Sequence, residues 1–232
     1  MDDVKRELEK YINPEKAKFP PRFFKTGKGE YGEGDIFIGV TVPDCKTVAL
    51  KYKGTSLEEV LKLLKSPIHE ERLIALFILT EQFRKGDKRK KLEIYDLYLN
   101  NTKFINNWDL VDSSAYKIVG TFLLDKERKI LYQLAESKHI WERRIAIVST
   151  MIFIRNNQLD DTLKISEKLL KDKHDLIQKA VGWLLRELGK KDQRLLANFI
   201  KKHYIQIPRT TLRYAIERFS EKEKKDFLSG KL

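Results

Sequence analysis

From Pro43 onward one signal runs through the sequence almost without interruption. Apolar residues recur at three- and four-residue intervals, in blocks of helical length separated by short polar joints. Only 11 Gly and 6 Pro serve 232 residues, and Leu, Lys, Glu and Ile dominate, so the composition favours helices over strands. The spacing predicts helices over Asp2–Ile12, Pro43–Lys53, Ser56–Lys65, Pro67–Lys85, Lys88–Asn100, Asn107–Leu124, Lys126–Glu136, Trp141–Asn156, Leu159–Lys171, Asp175–Gly189, Arg194–His203, Pro208–Phe219 and Glu221–Phe227. Ser, Asp or Pro stand at or directly before the start of most of these segments, and Gly86, Gly189 and Gly230 close three of them.

The first forty residues read differently. Asn13-Pro14 is a cap followed by proline at the first helical position. Pro20-Pro21 breaks any helix begun there. Gly27, Gly29, Gly32 and Gly34 fall within eight positions, which requires a loop, because glycine in a helix interior is costly. Ile36–Val40 is the one strand-like run, short and lone, and reads equally well as buried coil.

A weak internal repeat points to a solenoid. Ser66-Pro67-Ile68-His69-Glu70-Glu71-Arg72 resembles Ser137-Lys138-His139-Ile140-Trp141-Glu142-Arg143, with related starts near Ile177 and Ile207. A period of about 30–40 residues is two helices per unit, as in HEAT-type repeats. The expected fold is therefore all-α: a HEAT-like α-solenoid, or α-α superhelix, of about six helical pairs in one domain spanning 1–232, with a glycine-rich insertion at 27–42. Each unit places Arg or Lys near the start of its second helix, and stacking would line these cations along a concave basic face. Helix N-termini there would add N–H donors for phosphate.

Charge supports the same direction. Lys and Arg number 47 against 34 Asp and Glu, a net +13, and the usual partner of such an excess is a polyanion. A lysine-rich host proteome explains the same number without function. Hydrophobic residues at 41% are enough for a packed core. The single Cys45 cannot form an internal disulfide. The acidic start and the absence of an apolar run of about 20 residues predict a cytoplasmic protein without a membrane partner.

Three stretches carry possible chemistry. Trp108 and Asp112 are four apart in Asn107–Ser114 and share a helix face, as do Lys179, Trp183 and Arg186 in Gln178–Glu187. Trp141-Glu142-Arg143-Arg144 is a third cluster. Taken singly, a helical Trp is more often core than site, and such an Asp more often caps or pairs with Arg.

In order and at repeat-consistent spacing, Trp108-Asp109-Leu110-Val111-Asp112, Arg143-Arg144-Ile145-Ala146-Ile147 and Gln178–Arg186 resemble the AlkD group of DNA alkylation-repair glycosylases, and the likeness covers nearly the whole chain. The resemblance implies that Asp112 is the catalytic carboxylate and that Trp108 and Trp183 flank the deoxyribose of the lesion. It implies phosphate contacts for Arg144 and Arg186, and we add Lys179 and Arg209 as cations at the same kind of helix start. It further implies a monomer acting on cationic N3- and N7-alkylpurines in duplex DNA, with no cofactor, no metal and no deep base-flipping pocket. The glycine-rich loop at 27–34 departs from the family pattern. It would either touch DNA through Lys25, Lys28 and Tyr31 or close the first repeat.

The residue types suit that chemistry. An alkylated purine already carries positive charge and leaves without much acid catalysis, so the barrier lies in the oxocarbenium-like sugar. A carboxylate stabilises that cation and orients water, and aromatic faces add roughly 0.5–2 kcal/mol each. Two other readings remain at this point: a non-catalytic relative that binds DNA structure, which an excision assay separates, and a protein-binding scaffold, whose DNA binding would be absent or insensitive to salt. Gly27-x-Gly29-x-x-Gly32 matches a dinucleotide fingerprint only formally, since no strand precedes it and Glu30 and Glu33 would repel a pyrophosphate. Glu30, Glu33 and Asp35 read as a solvated loop, and His69, His139, His174 and His203 are too scattered to pair as metal ligands.

Overall fold

The computed structural model describes residues 2–19 and 23–231, and the expected break at Pro20-Pro21 lies outside them. The fold is all-α, with no strand among the described residues, consistent with the α-solenoid expected from the repeat. The chain packs as two compact units, one ending at Phe122 and one beginning at Leu123.

The first unit holds α1 (Asp2–Glu9), α2 (Val42–Lys51), α3 (Leu57–Leu64), α4 (His69–Lys85), α5 (Lys88–Leu99) and α6 (Trp108–Ala115). Thr41, Ser56 and Asp87 cap α2, α3 and α5 by accepting the N–H three residues on. The hub is α4, against which α2, α3, α5 and α6 all pack. Leu73 to Leu79 are buried without interruption, so over this stretch α4 is enclosed on all sides rather than amphipathic. The helix expected over 107–124 is not one regular element. α6 stops at Ala115 and a π turn occupies Tyr116–Gly120, a distortion that often accompanies function.

The second unit holds α7 (Lys129–Ala135), α8 (Ile140–Ser149), α9 (Met151–Arg155), α10 (Asp160–Leu169), α11 (Asp175–Gly189), α12 (Gln193–His203), α13 (Arg209–Ala215) and α14 (Glu221–Ser229). The helix expected over Trp141–Asn156 divides at Thr150, whose hydroxyl donates to the Ile147 carbonyl (2.7 Å). Here α11 is the hub, touching α8, α10, α12 and α13. Gly182 lets α13 approach: a Cβ at that position would lie 2.5 Å from Tyr214 Cβ and 2.7 Å from the Thr211 carbonyl oxygen.

The repeat is real at the level of hydrogen bonds. Ser66, Ser137 and Asp172 each accept, on a side-chain oxygen, the N–H two residues later, from Ile68 (3.0 Å), His139 (3.0 Å) and His174 (2.9 Å). Six residues after each of them, Arg72, Arg143 and Gln178 donate back to that same residue's carbonyl, at 3.0, 2.9 and 3.0 Å. The spare arms of the two guanidiniums take carboxylates, Asp35 for Arg72 and Asp172 for Arg143, both at 2.6 Å. This corrects the expectation that the cations at these helix starts face a groove. Arg72 and Arg143 are turned inward, because a planar five-donor fork satisfies the carbonyls stranded where the chain enters a helix.

The strand-like run at 36–40 is coil, exposed at Ile36 and buried at Gly39 and Val40. It makes one parallel bridge, with Ile36 opposite Ile68, and the buried Glu70 accepts the N–H groups of Ile38 (3.1 Å), Gly39 (2.9 Å) and Val40 (3.3 Å). Gly39 is required there. Its φ is +80°, and a Cβ would meet the Asn13 carbonyl oxygen at 2.1 Å. The cap reading at Asn13 holds, since its Oδ1 accepts the Lys16 N–H (3.0 Å) ahead of a short 3-10 turn.

Candidate functional site

Trp108 opens α6 and Asp112 lies four residues on, both half-buried. Asn107 fixes the start of the helix by accepting the Trp108 N–H (2.8 Å). The Trp108 indole stacks on Phe24, with centroids 5.2 Å apart and planes 11° apart, and meets the Phe23 edge at 5.5 Å. Phe24 stacks in turn on Phe37 (4.9 Å), and Phe37 on the His69 imidazole (4.5 Å). The segment containing the glycine-rich loop therefore packs its rings against the tryptophan that the resemblance places at the lesion sugar. A cavity of about 530 Å³ opens beside this stack, lined by Phe23, Phe24, Phe37, His69, Glu70 and Asp109 among others. Behind Asp112, the buried Tyr98 hydroxyl bonds Ser114 (2.9 Å). Burial, together with the charge of Asp112, pushes that hydroxyl well above the usual tyrosine range.

Beneath the rings lies a buried chain of charges. His69 Nε2 is 2.8 Å from Asp109 Oδ2, and its Nδ1 is 3.1 Å from Asp35 Oδ2. Asp35 Oδ1 takes Arg72 (2.6 Å), and the Asn107 amide donates to its other oxygen (3.3 Å). An imidazole that faces a carboxylate on both nitrogens must donate from both and is therefore the cation. Burial alone would lower its pKa, but the hydrogen bonds to Asp109 and Asp35 outweigh that and raise it to about 9. Burial likewise pushes the Asp35 carboxyl up, and His69 with Arg72 more than reverse it, holding it below the usual carboxylate range.

This constellation was invisible to spacing, because its members lie 34 and 40 residues apart. The one available clue was four charged or polar residues, His69 to Arg72, directly ahead of the apolar run Leu73–Leu79. It corrects the reading of Asp35 as part of a solvated loop: its side chain is 3% exposed. Glu30 and Glu33 instead accept the loop's own N–H groups, from Gly27 (2.9 Å) and Gly29 (2.8 Å). The donors a dinucleotide phosphate would need are thus already used. No group of three or more metal-ligating side chains occurs among the described residues.

The other expected site residues belong to the second unit. Arg144, on α8, is 5% exposed and donates to the Leu176 carbonyl (2.5 Å). Lys179, on α11, pairs with Asp175 (2.6 Å), and Trp183 is half-buried one turn later. Arg186 pairs with Glu217, and Arg209 donates to the Leu228 carbonyl (3.0 Å). All four cations thus have internal acceptors. The repeat register groups them further. Trp108, Arg144 and Lys179 each come directly after Asn107, Arg143 and Gln178, at steps of about 35 residues, the length of a two-helix repeat. Asp112 and Trp183 each fall four residues beyond that position.

A structure described as a predicted DNA alkylation repair enzyme from Enterococcus faecalis shares this fold, with a TM-score of 0.70 at 16% identity over 90% of this chain and 97% of that one. No curated protein sequence matches the chain. The model of one family, described as DNA alkylation repair enzyme, matches residues 4–219. With that match extending over all but the two ends, the chain belongs to the DNA alkylation repair enzyme family.

Proposed function

We propose that the protein is a monofunctional, monomeric DNA glycosylase that hydrolyses the N-glycosidic bond of N3- and N7-alkylpurines in duplex DNA. Family membership supplies the coarser statement, an alkylation-repair enzyme acting on DNA. The observation that carries the finer one is the placement of Asp112 one turn along α6 from an indole. The cationic base leaves with the electron pair of the glycosidic bond and becomes neutral. Water then supplies hydroxide to C1′ and a proton to solvent or carboxylate. Asp112 stabilises the sugar cation and orients that water. Trp108 contributes its ring face to the same cation. Trp183 keeps the second sugar-flanking role that the resemblance implies, and Arg144, Lys179, Arg186 and Arg209 the phosphate contacts.

Asp112→Asn tests this directly. The variant is expected to bind methylated duplex as the wild type does while releasing no free 7-methylguanine or 3-methyladenine. Release at the wild-type rate would remove Asp112 from the mechanism. A wild-type protein that binds DNA and releases nothing would leave the alternative, a non-catalytic relative that recognises DNA structure.

A further inference from the structure

We propose that the glycine-rich segment is a working part of the site, in which Asp35 acts through His69 and Asp109 to fix the first turn of α6, making Asp35 and His69 positioning residues for hydrolysis at Asp112. The proposal rests on the glycosylase reading above.

The connection is short, with the side chains of Asp35, His69 and Arg72 buried and that of Asp109 only slightly exposed. Asp109 Oδ2 bonds His69 on α4, and its Oδ1 accepts the Leu110 N–H (2.8 Å), so this one carboxylate joins α4 to the start of α6. Trp108 is the preceding residue and Asp112 comes one turn later. Reaction rates fall steeply when a catalytic group moves by an ångström, so whatever sets this turn sets the carboxylate. His69 can hold Asp109 and Asp35 together only as a cation, because a neutral imidazole has a single N–H. Arg72 lies 3.5 Å from His69 Nδ1, and only Asp35, placed between them, makes two buried cations compatible. Asp35 reaches that position because the loop folds back on α4, with the Ile36 N–H on the Pro67 carbonyl (3.2 Å) and the His69 N–H on the Ile36 carbonyl (2.8 Å).

The charged groups around His69 come from every element packed on it. Asp35 belongs to the loop, Asp109 to α6, and Arg72 and Glu70 to α4 itself. On α2, burial, foremost, with the charges of Glu70, Asp44 and Asp109 keeps the Cys45 thiol protonated. Lys16 stands at the wall of the neighbouring cavity.

The experiment uses the full-length protein and compares wild type, Asp35→Asn and His69→Gln. Single-turnover release of methylpurine from duplex is followed from pH 6 to pH 10, with enzyme-free controls. The His69 ring protons are followed by NMR over the same range, and folding is checked by thermal melting. In the wild type, base release falls with the titration of His69. In Asp35→Asn both curves move to lower pH together by about one unit or more, since one of two carboxylates is gone. His69→Gln releases base about 10- to 100-fold more slowly, with DNA affinity little changed and no alkaline limb of its own. If His69→Gln does not fold, the coincidence of the two curves in the other two proteins decides. Base release that ignores the His69 titration, or an Asp35→Asn profile identical to wild type, overturns the positioning role and leaves the glycosylase reading intact. Absence of base release in the wild type at every pH defeats that reading instead. Trp108 emission in a Trp141→Phe/Trp183→Phe background then judges the positional link, and emission constant through the His69 titration overturns it.

Discussion

Asp109 Oδ2 lies 2.8 Å from His69 Nε2, forty residues earlier in the chain, and through this contact the helix bearing Trp108 and Asp112 is anchored to the most buried helix of its unit. The pair is part of a four-member run, Asp109–His69–Asp35–Arg72, in which opposite charges alternate. Removing any one member leaves a like-charge contact or an uncompensated ion in a site with little water. The penalty for breaking such a pair exceeds its net contribution when intact.

The first prediction concerns pH and stability. The folded pKa of His69, about 9, lies above its ordinary 6.5, so folding favours proton uptake. The stabilisation is complete below pH 6.5, shrinks as pH rises, and is gone above about 9. Its size is on the order of 3 kcal/mol. Urea unfolding at pH 7 and pH 10 is expected to show the loss in wild type, and His69→Gln is expected to lack that part of the slope. Equal slopes in the two proteins would mean that His69 is neutral in the folded state.

Phe24→Ala removes the ring stacked on Trp108. Phe24 is half-buried, so the cost is expected to be about 1–3 kcal/mol, below that of a fully buried phenylalanine. Trp108 fluorescence should shift to the red as its face meets water. An unshifted spectrum would show that another group covers the indole.

Arg143→Ala leaves Asp172 without its guanidinium and the carbonyls of Ser137 and Lys138 without their donor. The expected destabilisation is about 2–4 kcal/mol. DNA affinity, compared at a temperature where both proteins are folded, should be nearly unchanged, because this arginine faces inward. A large loss of affinity with an unaltered melting temperature would reverse the assignment.

Lys179 and Arg209 test the assigned phosphate contacts. Lys179 pairs with a partly exposed Asp175, and Arg209 holds one carbonyl at the surface, so each can be removed without opening the core. Lys179→Gln and Arg209→Gln are each expected to weaken binding to any duplex and to reduce the slope of log affinity against log salt by about one. A slope unchanged in both variants would place the DNA elsewhere.

Much of the architecture was written locally. The apolar spacing located the helices, and Asp175–Gly189 was placed to the residue. The resemblance between the stretches after Ser66 and Ser137 marked a shared, hydrogen-bonded way of starting a helix. These features depend on contacts within about six residues, so the pattern of residue types suffices to specify them. The breaks at Tyr116–Gly120 and Thr150 escaped, since a helix continues or slips according to what packs on it. The sequence also named Asp112 and Trp108 as neighbours on one helix face, a consequence of helical pitch alone.

Only the tertiary structure decided what surrounds that face. Asp35 looked like a loop carboxylate in water, and His69 like an isolated histidine. Folding brings them together with Arg72 and Asp109 because three chain segments converge on one end of α4. It also turned Arg72 and Arg143 inward, where spacing had suggested a cationic face. The physical reason is the same in both cases. A hydrophobic period is fixed by the backbone's own geometry, whereas the partner of a charge is fixed by whichever distant group folding delivers within about 3 Å of it.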